Sequence, residues 1–228
     1  MRSLITFCLL AGVYGASRAF FRFHGRWIGG KPENPWKDLR VLVLLNHTSL
    51  YEPVLAGFGD LRLMWRLARH GVLPVADKTM RRTIGVFFRF LVRHVVVVTR
   101  QRDTSWEDFL RNVDDRSLVA ITPEGRMKRP GGLDSHGRPM TVRGGIADIL
   151  EALPDGRMLV VYSGGLHHIQ APGERLPRLF RTIRARLEFF DIAEYKAEMK
   201  TRGDDFRRAV IDDLTRRRDQ YAPEGETW

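Results

Sequence analysis

A single cysteine in 228 residues, Cys8 inside an apolar run, leaves no disulfide framework and no cysteine-based metal site. Acid is short against base: 27 Asp and Glu stand against 38 Lys and Arg, a formal net charge of +11 at pH 7. Nearly all of that positive charge is arginine, whose planar fork matches phosphate, so the candidate partners are nucleic acid, an anionic lipid surface or a phosphorylated substrate. Aromatic residues are not interleaved with the arginines as base-stacking platforms require; they gather near the amino end and in apolar helical stripes. That pattern argues against nucleic acid. Internal repeats, low-complexity tracts and a second domain are all missing. The apolar fraction, 43%, excludes a disordered chain. At this length one domain can bury roughly 70% of the surface its unfolded form exposes.

No uninterrupted hydrophobic run is long enough to read plainly as a membrane span. Residues 4–16 are almost wholly apolar, bracketed by Arg2 and Arg18 and followed by Phe20, Phe21, Phe23 and Trp27. Thirteen helical residues cover about 20 Å, short of the ~30 Å hydrocarbon core. Extension to Phe23 reaches crossing length only if Arg18 and Arg22 snorkel. Three readings stay open on this segment alone: an interfacial or shallow anchor, a secretory signal ending near Gly15-Ala16-Ser17, and a buried core helix.

Residues 31–37 form a Pro-punctuated linker, and beyond it short apolar runs alternate with amphipathic stretches. The pattern predicts strands at 41–45, 62–67, 95–99, 117–122, 158–163 and 187–190. Helices are expected over 78–93, 142–153 and 204–218; the last places Phe206, Val210, Ile211 and Leu214 on one stripe. Alternation of this kind predicts an α/β fold class: one domain with a mostly parallel or mixed central sheet flanked by helices, preceded by a membrane-associating helix. The expected division is a membrane-associating segment at 1–30 and a catalytic domain at 31–228.

Three stretches carry groups able to do chemistry. Asn46-His47-Thr48-Ser49-Leu50-Tyr51-Glu52 directly follows the first predicted strand, where open α/β sheets bind ligands. A histidine near neutral pKa serves as a general base, and a carboxylate at its other ring nitrogen fixes the tautomer. Positions five apart on a continuous helix stand ~140° apart and do not meet. Pro53, however, disfavours helix at Glu52, so His47 belongs to a turn that can fold the imidazole back. Thr122-Pro123-Glu124-Gly125-Arg126-Met127-Lys128-Arg129-Pro130 follows another predicted strand and sets cationic forks beside a Gly turn. Val95-Val96-Val97-Val98-Thr99-Arg100 reads as a buried strand ending in a charge. Taken singly, each has a plain alternative: a loop histidine, a solvated basic turn, and a core strand with a surface arginine.

In this order the three stretches resemble the phospholipid/glycerol acyltransferase family, of which bacterial 1-acylglycerol-3-phosphate acyltransferases are familiar members. The resemblance covers residues 41–165, and Lys78 and Gly85 fall where that family has a Lys and a Gly. Thr141-Val142-Arg143-Gly144-Gly145-Ile146-Ala147 resembles its basic-Gly-small stretch, and residues 158–163 its hydrophobic fourth motif. Four departures stand out. Glu52 replaces the commoner Asp, and His94 replaces a glycine. Thr122 replaces Phe, with Arg126 following Gly125 directly. Val160-Val161-Tyr162 lacks the usual proline.

The resemblance implies a membrane-associated acyltransferase in which His47 takes the proton of an acceptor hydroxyl and Glu52 orients the ring. The donor would be acyl-CoA or acyl-carrier protein, with no cofactor or metal. The acceptor would be a lysophospholipid, 1-acylglycerol-3-phosphate first. Arg100, Glu124, Gly125 and Arg126 would form the acceptor-phosphate site, the arginines binding and the glutamate positioning them, while Asn46 and Ser49 brace the turn or donate hydrogen bonds. Partners would be the bilayer and these substrates, not nucleic acid, at the cytoplasmic face, where such donors reside. The alternatives are a thioesterase or lipid hydrolase using the same base, and a noncatalytic lipid- or nucleic-acid-binding protein.

Overall fold

The computed structural model describes residues 1–81, 83–99, 104–170, 174 and 176–223. A seven-stranded mixed sheet runs through it: β1 (Arg22–Ile28), β2 (Leu39–Leu45), β3 (Gly71–Ala76), β4 (His94–Val98), β5 (Leu118–Ile121), β6 (Arg157–Ser163) and β7 (Thr182–Asp191). Their spatial order is β1-β7-β6-β2-β5-β3-β4. Strands β6, β2, β5, β3 and β4 are mutually parallel; β7 runs antiparallel to β6 and carries β1 parallel to itself. The helices are α1 (Arg2–Phe20), α2 (Leu61–His70), α3 (Asp77–Met80), α4 (Thr83–Leu91), α5 (Ser105–Arg111), α6 (Gly145–Ala152), α7 (Ile192–Thr201) and α8 (Phe206–Tyr221). A 3₁₀ helix spans Glu52–Phe58.

Both faces of the sheet are covered, which is why β2, β5 and β6 read as continuous apolar runs instead of alternating ones. On one face Val41, Val43, Leu45 and Val160 pack under α6, α7 and α8 through Ile146, Leu150, Tyr195 and Leu214. On the other, Leu42, Leu44, Leu159 and Val161 meet α1, α2 and α4 through Leu10, Leu63, Met64 and Leu91.

Several elements differ from the sequence expectation, among them β1, α5 and α7, which it did not include. The predicted strand at 62–67 is helix α2. Asp60 caps it, accepting from Arg62 N at 2.9 Å and Leu63 N at 3.0 Å, and Leu63, Met64, Leu67 and Ala68 bury one helical face. Leu61, Leu63, Trp65 and Leu67 happen to alternate, and that mimics a strand. Strand β3 lies in the sheet interior despite Pro74. Its ladder to β5 covers only Gly71 and Val72, so the missing N–H falls where β3 is paired with β4 alone. The helix expected over 78–93 divides into α3 and α4. Gly85 makes their close approach possible, since a Cβ there would stand 2.5 Å from Thr79 O.

Residues 22–28, which read as the tail of the amino-terminal segment, form edge strand β1. Trp27 stacks on Phe189 at 5.5 Å and Phe23 meets Phe58 edge-on at 4.9 Å. Helix α1 has the length and composition to cross a membrane. One of its faces is nevertheless built into the domain: Thr6, Leu10 and Ser17 are buried, and Phe7 packs edge-on against Trp65 of α2 at 5.2 Å. Leu4, Ile5 and Leu9, off that face, are exposed.

Candidate active site

The carboxyl end of β2 lies between those of its two parallel neighbours, so three loops converge there. Asn46 leaves β2 with φ +65, a left-handed conformation that Asn tolerates better than most side chains. It reverses the chain at once, and its Nδ2 donates to Ser163 O at the end of β6, 2.9 Å away. His47 follows, and Pro53 sits in the first turn of the 3₁₀ helix that starts at Glu52. The turn brings His47 Nδ1 to 2.5 Å from Glu52 Oε1, a short contact without the alignment of a regular hydrogen bond. Glu52 Oε1 also accepts from Thr48 N at 3.2 Å.

Glu124, from the loop after β5, is buried and grips the same turn. Its Oε2 accepts from His47 N at 2.7 Å and its Oε1 from Asn46 N at 3.2 Å. Arg218 of α8 neutralises it: Nη1 donates to Glu124 Oε1 at 3.1 Å and to Met140 O at 3.0 Å. The β6 loop completes the brace. Leu166 N donates to Thr48 Oγ1 at 2.7 Å, and Ser49 Oγ donates to Gln170 Oε1 at 2.8 Å. Lys128 N donates to His47 O at 2.8 Å, tying the basic loop to the turn.

The electrostatics of His47 are a contest. Burial pushes the imidazole pKa down; the Glu52 charge and contact, with a smaller contribution from Glu124, outweigh it and hold the pKa above the ordinary value. With Nδ1 turned to Glu52, Nε2 is the nitrogen available to a substrate. His47, Glu52 and Ser49 line a cavity of about 630 Å³. Its lining is largely apolar and includes Leu10, Leu63, Met64, Phe88, Leu91 and Val161, so α1 contributes to its wall through Leu10.

Six of the eight residues singled out in the sequence fall together here: Asn46, His47, Ser49, Glu52, Glu124 and Gly125. Arg126 turns away, with Nη1 hydrogen-bonded to the buried Asp134. Asp134 is fixed in turn by the N–H groups of Arg138 and His136, which with Arg126 hold its carboxyl well below the usual carboxylate range despite its desolvation. Arg100 lies outside the described residues, although Thr99 before it lines the cavity. Sequence reasoning missed Arg218, Gln170 and Ser163. For Arg218 a signal existed: Val210, Leu214 and Arg218 recur at i+4, placing the arginine on the buried stripe of α8. Among the described residues no group of three or more His, Cys, Asp or Glu could hold a metal ion.

The architecture, a mixed seven-stranded sheet flanked by helices, matches the fold of a solved acyltransferase. A solved structure that shares it is the 1-acyl-sn-glycerophosphate (LPA) acyltransferase PlsC from Thermotoga maritima. The two superpose with a TM-score of 0.52 at 17% sequence identity, over 91% of this chain and 77% of that one. No protein-family model and no curated protein sequence matches the chain.

Proposed function

We propose that the protein is a membrane-associated O-acyltransferase that moves a fatty acyl group from acyl-CoA or acyl-carrier protein to the hydroxyl of a lysophospholipid, 1-acylglycerol-3-phosphate first. The observation that carries this reading is the His47–Glu52 pair lining a largely apolar cavity. An apolar lining suits an acyl chain, and a base is needed where its carboxyl carbon would lie. His47 Nε2 takes the acceptor's O–H proton as the oxygen attacks the thioester carbonyl; collapse of the tetrahedral intermediate expels the thiolate, which recovers the proton from the imidazolium. Glu52 stabilises that imidazolium and fixes the ring. No acyl-enzyme is required: Cys8 is exposed on α1.

The packing of α1 favours an arrangement in which the helix lies along the bilayer, its exposed Leu4, Ile5 and Leu9 entering lipid while Leu10 walls the cavity. Both substrate and product could then exchange with the membrane beside the site. The cytoplasmic face is the side on which the donor is found. The test is mass spectrometry of the products formed by the full chain from labelled acyl-CoA and a panel of lysolipids. A labelled diacyl product is expected only when acceptor is present. Free labelled fatty acid at the same rate without acceptor would show hydrolysis instead.

A further inference from the structure

Among the described residues two Lys or Arg side chains line the cavity that holds His47, namely Arg143 and Arg207. They come from opposite ends of the chain's second half. Arg143 lies just ahead of α6; its N–H donates to Pro123 O at 3.0 Å, next to the glutamate that grips the catalytic turn. Its side chain passes Gly125, where a Cβ would stand 3.4 Å from Arg143 Cδ. Arg207 belongs to the first turn of α8 and reaches the same rim, Nη1 donating to Asp148 Oδ1 at 2.6 Å. That bond uses one of the five N–H donors of the guanidinium and fixes the plane of the fork.

The Gly144-Gly145 pair is what lets Arg207 lie there. A Cβ on Gly144 would come within 2.0 Å of Arg207 Nε, and one on Gly145 within 2.8 Å of the Trp106 ring. Trp106 Nε1 in turn donates to Asp148 Oδ2 at 2.9 Å, so one carboxylate holds both groups over a backbone stripped of side chains. Arg126 has no such place, being bonded to Asp134 and absent from the lining of the cavity.

We propose that Arg143 and Arg207 form the phosphate-binding subsite of the cavity, taking a phosphate monoester or diester carried by a substrate, and that Arg126 instead holds its own loop to Asp134. The subsite rests on the acyl-transfer reading only for its role in turnover. Two substrates could bring the phosphate, the lysolipid acceptor or the nucleotide part of acyl-CoA, and kinetics separate them.

The first arm needs no turnover. The full chain is modified with phenylglyoxal with and without inorganic phosphate, and labelled peptides are quantified by mass spectrometry. Phosphate should slow modification of Arg143 and Arg207 several-fold but leave Arg126 unchanged. Equal rates with and without phosphate at both arginines would overturn the subsite. In the second arm, Arg143→Met and Arg207→Met should raise the KM of the phosphate-bearing substrate roughly 10- to 150-fold, the loss of one charge-assisted contact, with a smaller change in kcat. A rise in acceptor KM assigns the acceptor's phosphate; a rise in donor KM assigns the donor's. Arg207→Lys, which keeps the charge but not the fork, guards against a folding defect and should restore KM in part. Unchanged KM for both substrates in both Met variants, or an equal rise in Arg126→Met, would refute the assignment. If phosphate protection holds while His47→Ala stays active, the subsite stands and the mechanism falls.

Discussion

Replacing Arg218 with Met probes how the His47 turn is held. The arginine is nearly buried, with 10% of its side chain exposed against 1% for Glu124, so its removal strands a carboxylate in the interior. Breaking a buried pair by removing one partner costs about 3–5 kcal/mol. Glu124 keeps the N–H groups of Asn46 and His47 as donors, which places the expected loss near the lower end, about 3 kcal/mol. In a domain of this size that lowers Tm by about 6–12 °C. The assay is a double-mutant cycle in thermal and urea unfolding, with Glu124→Gln as the second change. A glutamine side chain can still accept from the backbone but carries no charge, so Arg218→Met should cost at least about 1 kcal/mol less when Glu124→Gln is already in place. Additive losses within about 0.5 kcal/mol would refute the reasoning, because they would mean the two side chains do not communicate.

Because Glu52 outweighs burial at His47, the acidic limb of the kcat/KM profile should lie above the ordinary histidine pKa, with activity rising as the ring deprotonates. Glu52→Gln should move that limb to lower pH and reduce the plateau; a limb that stays put would contradict the pairing. The linked stability has the opposite sense. A raised folded pKa contributes stability that is fully present below the unfolded value of 6.5 and fades as pH rises through the folded value, so His47→Ala should narrow the stability difference between mildly acidic and alkaline pH. Gly57→Ala should destabilise by about 1–3 kcal/mol, since its Cβ would come within 2.1 Å of the Phe23 ring of β1; unaltered melting would show that β1 yields freely. Leu4→Asp with Ile5→Asp should abolish flotation with anionic vesicles while leaving the soluble fold melting normally, and retained flotation would remove α1 from the lipid face.

Strand β2 and its loop were legible because burial on both faces gives a continuous apolar run and the turn residues follow it directly. The same logic found β5 and β6. Residues 95–99 read as a buried strand, but β4 is the half-exposed edge strand of the sheet, its apolar run lying only partly covered. The logic failed where a local pattern had two meanings, as at residues 62–67, and where pairing partners decided, as for β3 with Pro74 and β1 with its alternating Arg22, His24 and Arg26. In the site, residues close in sequence to the histidine were readable from spacing and turn chemistry. Arg218 and Arg207 were not, because they reach the turn and the cavity rim through the packing of α8 against the sheet, a tertiary fact with only an i+4 stripe to betray it. Arg126 illustrates the converse. Its position beside Gly125 suggests an anion clamp, yet Asp134, eight residues on, captures it.

The central claim is that His47 is the general base of acyl transfer. Initial rates of labelled acyl transfer from acyl-CoA to lysophosphatidate should be measured for the native full chain and for His47→Ala, with matched vesicle binding and melting curves. A positioned base contributes about 10²–10⁴-fold, so transfer by the Ala variant should fall by at least about 100-fold with folding and membrane binding unchanged. Transfer within a few-fold of the native rate would contradict the account.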